Sequence, residues 1–226
     1  IEPMVTLHHF TNPLWFEDQG GWLNPRSPEI FESFARIVVE NLGDLFSIYN
    51  TINEPMIAAT MGYLFGIFPP GERSLDKCLT AARNMLLAHG RAYQAIHETC
   101  KSLGYPKPMV APVKQMIPFE PLNPLSKEDV EEAKRRNHFF NECMLESINT
   151  GAIQPPLGTG EEQDYLKDSW DFIGVNYYSR TLCTPQNEEF PLPFANVPEG
   201  AERSDQGLEV YPDGLRKVLL SLKQYG

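Results

Sequence analysis

The chain has 226 residues, with 19 lysines and arginines against 30 aspartates and glutamates, which gives a formal net charge of −11. Hydrophobic residues make up 42% and charged residues 22%, as in an ordinary globular protein and unlike a disordered chain. No run approaches the roughly 20 apolar residues of a membrane span, and the acidic balance argues against nucleic acid or an anionic membrane surface as the main partner.

Four short apolar runs predict β-strands, at residues 4–9, 45–52, 109–115 and 172–177. Helical periodicity fills the segments between them, and this alternation predicts parallel βα units. Four such units form either half of an eight-stranded barrel or a small doubly wound sheet. No strand is followed by a glycine-rich phosphate turn, which favours the barrel. Prolines cluster in residues 117–124 and 185–198, and both segments are predicted to be long surface loops.

Cap residues predict where the helices begin and end. Ser27 is expected to cap a helix that stops at Gly43, and Ser74 to cap a longer one. A third helix is predicted to start at Ser126, and the last to cover about residues 213–225. Because the chain opens on Ile1, directly before the first strand, and closes on the last helix, we expect a segment of a longer protein.

Several polar helix residues are assigned structural roles. His89 lies on the apolar stripe of its helix, which predicts a hydrogen-bonded core histidine. His97 and the charged run that ends at Arg136 are expected to be solvated. His8 and His9 are adjacent on a strand and point to opposite faces, so no shared metal is expected.

The cysteines predict the compartment. No two of them form a CxxC pair, which argues against a zinc knuckle or a redox motif. Free thiols in a reducing compartment, with the cytoplasm as the default, are preferred over a disulfide framework. The four cysteines are Cys78, Cys100, Cys143 and Cys183.

Glu54 is the strongest candidate for chemistry. It follows the second predicted strand, and a carboxylate at the carboxyl end of a barrel strand points into the mouth where catalytic groups lie. Pro55 is expected to end the strand and to hold Glu54 in an extended conformation. His9, Asn176 and Tyr178 follow other strands, and this mixture of groups suits a polyhydroxylated substrate.

The chain resembles the family 1 glycoside hydrolases, the β-glucosidase and β-galactosidase family, from end to end. Thr51-Ile52-Asn53-Glu54-Pro55 is similar to the family's T-x-N-E-P acid/base motif, and Leu7-His8-His9-Phe10 to its strand-three segment. Residues 171–178 resemble its strand-six D-F-x-G-x-N-Y-Y, and residues 86–89 and 209–215 match further family segments in the expected order.

The resemblance implies a retaining β-glycosidase that acts on terminal sugars and serves carbohydrate metabolism, with a (β/α)8 barrel and no cofactor or metal. Glu54 would be the general acid/base, and Asn53 would bind the sugar 2-hydroxyl. His9 would hold hydroxyls of the bound sugar, and Asn176 would lie beside Tyr178 in the pocket for that sugar. Tyr178 would hydrogen-bond the nucleophile. The ligand would be a small-molecule β-glycoside or oligosaccharide.

Two family motifs have no counterpart in the chain, namely the first-strand glutamine and the T-E-N-G segment that carries the nucleophile. We therefore expect residues 1–226 to be a single incomplete barrel domain, roughly the third to sixth βα units, truncated at both ends. Without a nucleophile and the remainder of the barrel, the isolated chain is expected to be inactive. Two alternatives remain. One is a non-catalytic half-barrel that assembles with a complementary chain or only binds sugar, and the other is an artificially cut sequence without independent function.

Overall fold

A computed structural model describes residues 1–185 and 197–225. The strands of the described residues are β1 Met4–His8, β2 Ile48–Asn53, β3 Met109–Gln115, β4 Phe119–Pro121, β5 Gly174–Asn176 and β6 Thr181–Cys183. The α-helices are α1 Leu14–Asp18, α2 Ser27–Leu42, α3 Pro55–Ala59, α4 Leu75–Leu103, α5 Lys127–Asn137, α6 Cys143–Thr150 and α7 Pro212–Ser221. Shorter helical turns are Gly21–Leu23, Thr60–Leu64, His138–Glu142 and Leu222–Tyr225.

The main sheet has four strands in the order β1-β2-β3-β5, the chain order of the four predicted strands. β1 pairs with β2 in parallel, and β2 pairs with β3 in parallel. The central strand β2 is buried from Tyr49 to Asn53, as expected for a parallel strand covered on both faces, whereas β1 alternates between exposed and partly buried residues.

The chain divides into two compact units. The first unit comprises Ile1–Lys114 and Glu146–Val175, and the second comprises Gln115–Leu145 and Asn176–Gly226.

In the first unit, α4 packs against α2 and β2. Ser74 caps α4 as predicted, because its side chain accepts a hydrogen bond from the Lys77 N–H. Ser27 does not cap α2, which corrects the sequence-based expectation. Helical hydrogen bonding already begins at Arg26, whose carbonyl accepts from the Ile30 N–H at 3.0 Å, so Ser27 lies inside the first turn.

In the second unit, the first proline-rich segment is only partly the predicted surface loop: residues 122–124 are exposed, whereas the residues before them include a strand. β4 pairs in parallel with β6, from Phe119 opposite Thr181 to Pro121 opposite Cys183. Phe119 and Thr181 are buried, so the segment contributes to the core. A three-residue strand between prolines is too short for its alternation to show in the sequence. Of the second proline-rich segment, residues 186–196 lie outside the described residues.

Two residues expected to be solvated are instead held by contacts with carboxylates. Arg136 is 1% exposed, and its Nε lies 2.6 Å from Glu132 Oε1, so a carboxylate one helical turn away compensates the buried charge. His97 Nε2 lies 2.8 Å from Asp171 Oδ2, and the same oxygen accepts from the Val110 N–H at 2.9 Å. These contacts join α4, β3 and the segment before β5.

All four cysteines are free and buried. Burial raises the pKa of the Cys78 and Cys183 thiols to about 12. Within the described residues, no helix has the length and apolar character needed to cross a membrane.

Candidate active site

Glu54 lies at the junction of β2 and α3. Its side chain is buried, and its backbone is left-handed, with φ 49° and ψ 58°. This corrects the extended conformation expected from the following proline. Pro55 occupies the first position of α3, where its fixed φ suits a helix, so the reversal from strand to helix falls on Glu54 alone. The Glu54 carbonyl accepts from Ile57 N–H at 2.9 Å and Ala58 N–H at 3.0 Å.

Asn53 ends β2 and is buried. The register between β2 and β3 shifts just before it, because Asn50 pairs with Ala111 and Asn53 pairs with Val113. An advance of three residues along β2 is therefore paired with an advance of two residues along β3. A bulge of this kind next to a site redirects the side chains that follow it.

Asn50 compensates for the disturbed ladder. Its Oδ1 accepts from the Val113 N–H at 3.0 Å, and its Nδ2 donates to Thr6 Oγ1 at 3.2 Å. One buried amide therefore joins β1, β2 and β3. The Val113 carbonyl in turn accepts from the Glu54 N–H at 2.6 Å. The backbone of Glu54 is thus held by β3, directly beside the residue that Asn50 binds.

His89 supports β2 from α4. Its Nδ1 lies 2.7 Å from Thr51 Oγ1, and its Nε2 lies 2.7 Å from the Ser169 carbonyl oxygen. Burial lowers the pKa of His89 to about 4, so the ring is neutral near pH 7. A neutral ring donates from Nε2 to the carbonyl and accepts the Thr51 hydroxyl at Nδ1. The prediction of a hydrogen-bonded core histidine is confirmed.

His8 and His9 have opposite environments. His8, the last residue of β1, is buried, and its Nε2 lies 3.0 Å from Asn12 Oδ1. Burial lowers the pKa of His8 to about 4. His9 is exposed, and its ring meets the Phe10 ring edge-on at 4.8 Å between centroids. Since His9 and Asn53 stand at the carboxyl ends of adjacent strands, the structure brings His9, Asn53 and Glu54 to one end of the sheet.

Asn176 and Tyr178 belong to the second unit. Asn176 ends β5, and its carbonyl accepts from the Met116 N–H at 2.9 Å. Tyr178 is 52% exposed and lines an open cavity of about 600 Å³. Polar residues of that cavity include Ser204 and Gln206.

The family model of glycosyl hydrolase family 1 matches residues 1–226. This chain belongs to glycosyl hydrolase family 1. It is 30% identical to β-glucosidase A of Thermotoga maritima over 99% of this chain and 51% of that protein. It is 33% identical to a β-galactosidase of Sulfolobus acidocaldarius over 99% of this chain and 48% of that protein. The chain spans about half the length of the curated relatives it matches.

Solved structures agree with this family assignment. A β-glycosidase from Pyrococcus horikoshii matches with a TM-score of 0.83 and 33% identity, over 100% of this chain and 51% of that one. A β-glucosidase from Thermotoga maritima in complex with glucoimidazole matches with a TM-score of 0.82 and 29% identity, over 100% of this chain and 52% of that one. The predicted fold is confirmed: the chain is part of a (β/α)8 barrel, roughly its third to sixth βα units.

Sequence reasoning missed several polar residues next to the candidate site residues in each unit. Asn50 precedes the acid/base motif by one residue, and a polar side chain inside a buried strand was the available signal. Arg180 and Glu209 in the second unit were also missed. Arg180 lies two residues after the segment 171–178, and Glu209 is the first residue of the segment 209–215, but their pairing across 29 positions has no signal in a single sequence.

Proposed function

We propose that the chain is the acid/base-bearing part of a retaining β-glycosidase that hydrolyses β-glucosides or related β-glycosides from their ends. The burial of Glu54 at the carboxyl end of the central strand, with Asn53 and His9 at the same end, carries this proposal. Relatives described as β-glucosidase and β-galactosidase support the reaction type.

In the proposed reaction, Glu54 first protonates the glycosidic oxygen as the second carboxylate attacks the anomeric carbon. Glu54 then deprotonates the water that releases the sugar from that carboxylate. A retaining enzyme needs its two carboxyl groups about 5 Å apart. We propose that the nucleophile comes from the part of the full-length protein that this chain does not contain.

The remaining site residues take binding roles in this proposal. Asn53 would hold the 2-hydroxyl, a contact that strengthens as charge develops on the sugar ring. His9 and Asn176 would bind further hydroxyls of the terminal sugar. Tyr178 would donate its phenolic hydrogen to the nucleophile, and its 52% exposure leaves the ring accessible. We propose that the single domain over residues 1–226 is completed by the remainder of the barrel.

The proposed ligand is a small-molecule β-glycoside or oligosaccharide. Similar structures of a Thermotoga maritima β-glucosidase are complexes with glucoimidazole and with deoxynojirimycin. The four free, buried thiols support a reducing compartment, and we propose the cytoplasm. No nucleic acid, membrane or cofactor has a part in the proposed reaction.

Glu54→Gln in the full-length protein tests the acid/base assignment. Removing the acidic proton should slow hydrolysis of a disaccharide about 100- to 10,000-fold, because its leaving group requires protonation. Aryl β-glucosides with good leaving groups should still glycosylate the enzyme, and added azide should restore turnover with formation of a β-glucosyl azide. Steady-state and burst kinetics measure both steps.

Glu40→Gln, at an exposed position on α2, is the matched control and should retain full activity with no azide effect. A Glu54→Gln enzyme with the full rate on a disaccharide would remove Glu54 from the mechanism.

A further inference from the structure

The segment that follows β5 is anchored on both sides of Tyr178. Before it, the Tyr177 hydroxyl donates to the Tyr211 carbonyl oxygen. After it, the buried Ser179 hydroxyl donates to the Glu209 carbonyl oxygen at 2.9 Å. The half-exposed ring of Tyr178 therefore projects from a backbone that its two neighbours fix to residues about 30 positions later.

Arg180 provides the strongest part of this anchorage. Its Nε and Nη2 donate to the two carboxylate oxygens of Glu209 at 2.9 and 2.8 Å, a bidentate pair. Its Nη1 donates to Glu120 Oε2 at 2.7 Å, and the guanidinium carbon lies 4.0 Å from the Tyr211 ring centroid. All three nitrogens of the guanidinium group are engaged, so the side chain has one orientation. These contacts raise the pKa of Arg180 above its usual range.

The second carboxylate of the cluster is itself fixed. Glu120 accepts from Lys217 and from the Tyr211 hydroxyl, the latter at 3.1 Å. Burial alone would raise the pKa of Glu120, but hydrogen bonds from Lys217 and Arg180 outweigh it and lower the pKa. Two cations and two carboxylates balance, so the cluster keeps its geometry near neutral pH without an unpaired buried charge.

We infer that Arg180, held by Glu209 and Glu120, is a positioning residue that fixes Tyr178 in the orientation needed to hydrogen-bond the nucleophile; the inference rests on the proposed function of the site. Arg180 is two residues from Tyr178 and, on this inference, has no contact with substrate. A catalytic group must be held to within about 0.5 Å of its productive position, and the cluster supplies that restraint.

The test is a double-mutant cycle in the full-length protein, with Arg180→Met, Tyr178→Phe and the double variant. Arg180→Met alone should lower kcat about 10- to 100-fold with little change in KM, because a misplaced tyrosine affects the transition state more than sugar binding. In the Tyr178→Phe background, the same change should lower kcat less than about 2-fold, because the hydroxyl that Arg180 positions is already absent.

Two further variants separate positioning from general stability. Arg180→Lys keeps the charge without the bidentate pairing, so it should recover part of the kcat. It also replaces Arg180→Met in the cycle if that variant does not fold. Arg83→Met removes a comparable arginine that binds Glu161 and the Leu157 carbonyl oxygen in the first unit. It should destabilise the protein without lowering kcat. Equal kcat losses in the wild-type and Tyr178→Phe backgrounds would overturn the inference.

A readout without activity distinguishes this inference from the proposed function. With 3-fluorotyrosine at position 178 of the full-length protein, Arg180→Met should shift or broaden the fluorine resonance, whereas Arg83→Met should leave it unchanged. If the wild type lacks glycosidase activity but the resonance responds, the proposed function fails and the positioning contact stands. An unchanged resonance in a folded Arg180→Met protein would overturn the positioning role.

Discussion

At position 54, the proposed chemistry and the backbone conformation favour different residue types. The proposed reaction needs a carboxylate there, whereas φ 49° is a conformation in which a side chain is unfavourable by about 1–2 kcal/mol. Phe10 and Asp168 also have positive φ, at 70° and 53°. The Phe10 ring contacts the rings of His9 and Phe68, which offsets its backbone strain. Asp168 is exposed, which makes it a reference for the backbone effect alone.

We predict that Glu54→Gly raises the free energy of unfolding of the full-length protein by about 1 kcal/mol, because glycine adopts positive φ without a steric penalty. The same variant should lose acid/base catalysis. Thermal or denaturant unfolding measures the first effect and disaccharide hydrolysis the second.

Asp168→Gly is the matched control, with the same backbone conformation, and should be stabilised similarly while keeping its activity. A Glu54→Gly protein that is less stable than the wild type would show that side-chain contacts of Glu54 outweigh the strain.

Glu54 remains the candidate acid/base predicted from the sequence, but its predicted backbone conformation was wrong for a local reason. The residue before a proline is biased toward extended conformations, and that rule predicted the wrong region for Glu54. The rule does not hold here because Pro55 starts a helix directly after a strand. Glu54 alone must therefore change the direction of the backbone. Only the knowledge that α3 begins at Pro55 would have revealed this.

At the scale of elements, two helix starts were predictable from a serine at the cap position. Ser74 and Ser126 cap α4 and α5, each accepting from the backbone three residues later. Burial along a helix was less predictable. Arg136 has charged sequence neighbours, yet it lies on the face that also buries Ala133. Tertiary packing decides which face of α5 turns inward and so buries Arg136, whose charge Glu132 compensates from one turn earlier.

The buried histidines of β1 and α4 predict acid sensitivity of these elements. An unfolded histidine has a pKa of about 6.5, whereas His8 and His89 have a pKa of about 4 in the fold. As pH falls from about 6.5 to 4, the unfolded state binds protons first, so the free energy of unfolding should decrease by up to about 1.4 kcal/mol per pH unit for each histidine. Above pH 6.5 these groups contribute no pH dependence.

His89→Gln should reduce this slope in the full-length protein, as measured by denaturant unfolding at several pH values. An identical slope in wild type and His89→Gln would show that His89 titrates normally in the fold.

At the scale of the whole molecule, the order of the four main strands was predictable because each strand is a clear apolar run. The β4–β6 pair was not, because each strand has only three residues and the two lie about 60 positions apart in the sequence. The main sheet of the described residues has four strands, whereas a closed barrel of this type has about eight, so β1 and β5 remain edges. Ile37 on α2 and Leu219 on α7 are more than half exposed.

We predict that the 226-residue chain expressed alone associates and shows no turnover of an aryl β-glucoside. Exposed edges and apolar helix faces favour association, and the proposed nucleophile is not supplied. Light scattering and a glycosidase assay measure the two properties. Adding the missing barrel segments as separate chains should reduce association and restore activity.

Ile37→Lys should reduce this association, because it places a charge on the exposed apolar face of α2. Glu40→Lys, at an exposed polar position on the same helix, is the control for the added charge and should have a smaller effect. A monodisperse isolated chain that hydrolyses the glucoside would contradict the prediction.

The amide of Asn50 has a consequence for hydrogen exchange. In an ordinary parallel ladder, the protection of a backbone amide hydrogen depends on the opening of two strands together. The Val113 amide hydrogen is instead bonded to a side-chain oxygen, while the Val113 carbonyl holds the backbone of Glu54. Its exchange with deuterated solvent therefore follows the rotation of one side chain as well as the separation of strands. The exchange rate of the Val113 amide hydrogen therefore reports the local order of the backbone that holds Glu54, and it can be measured without any substrate.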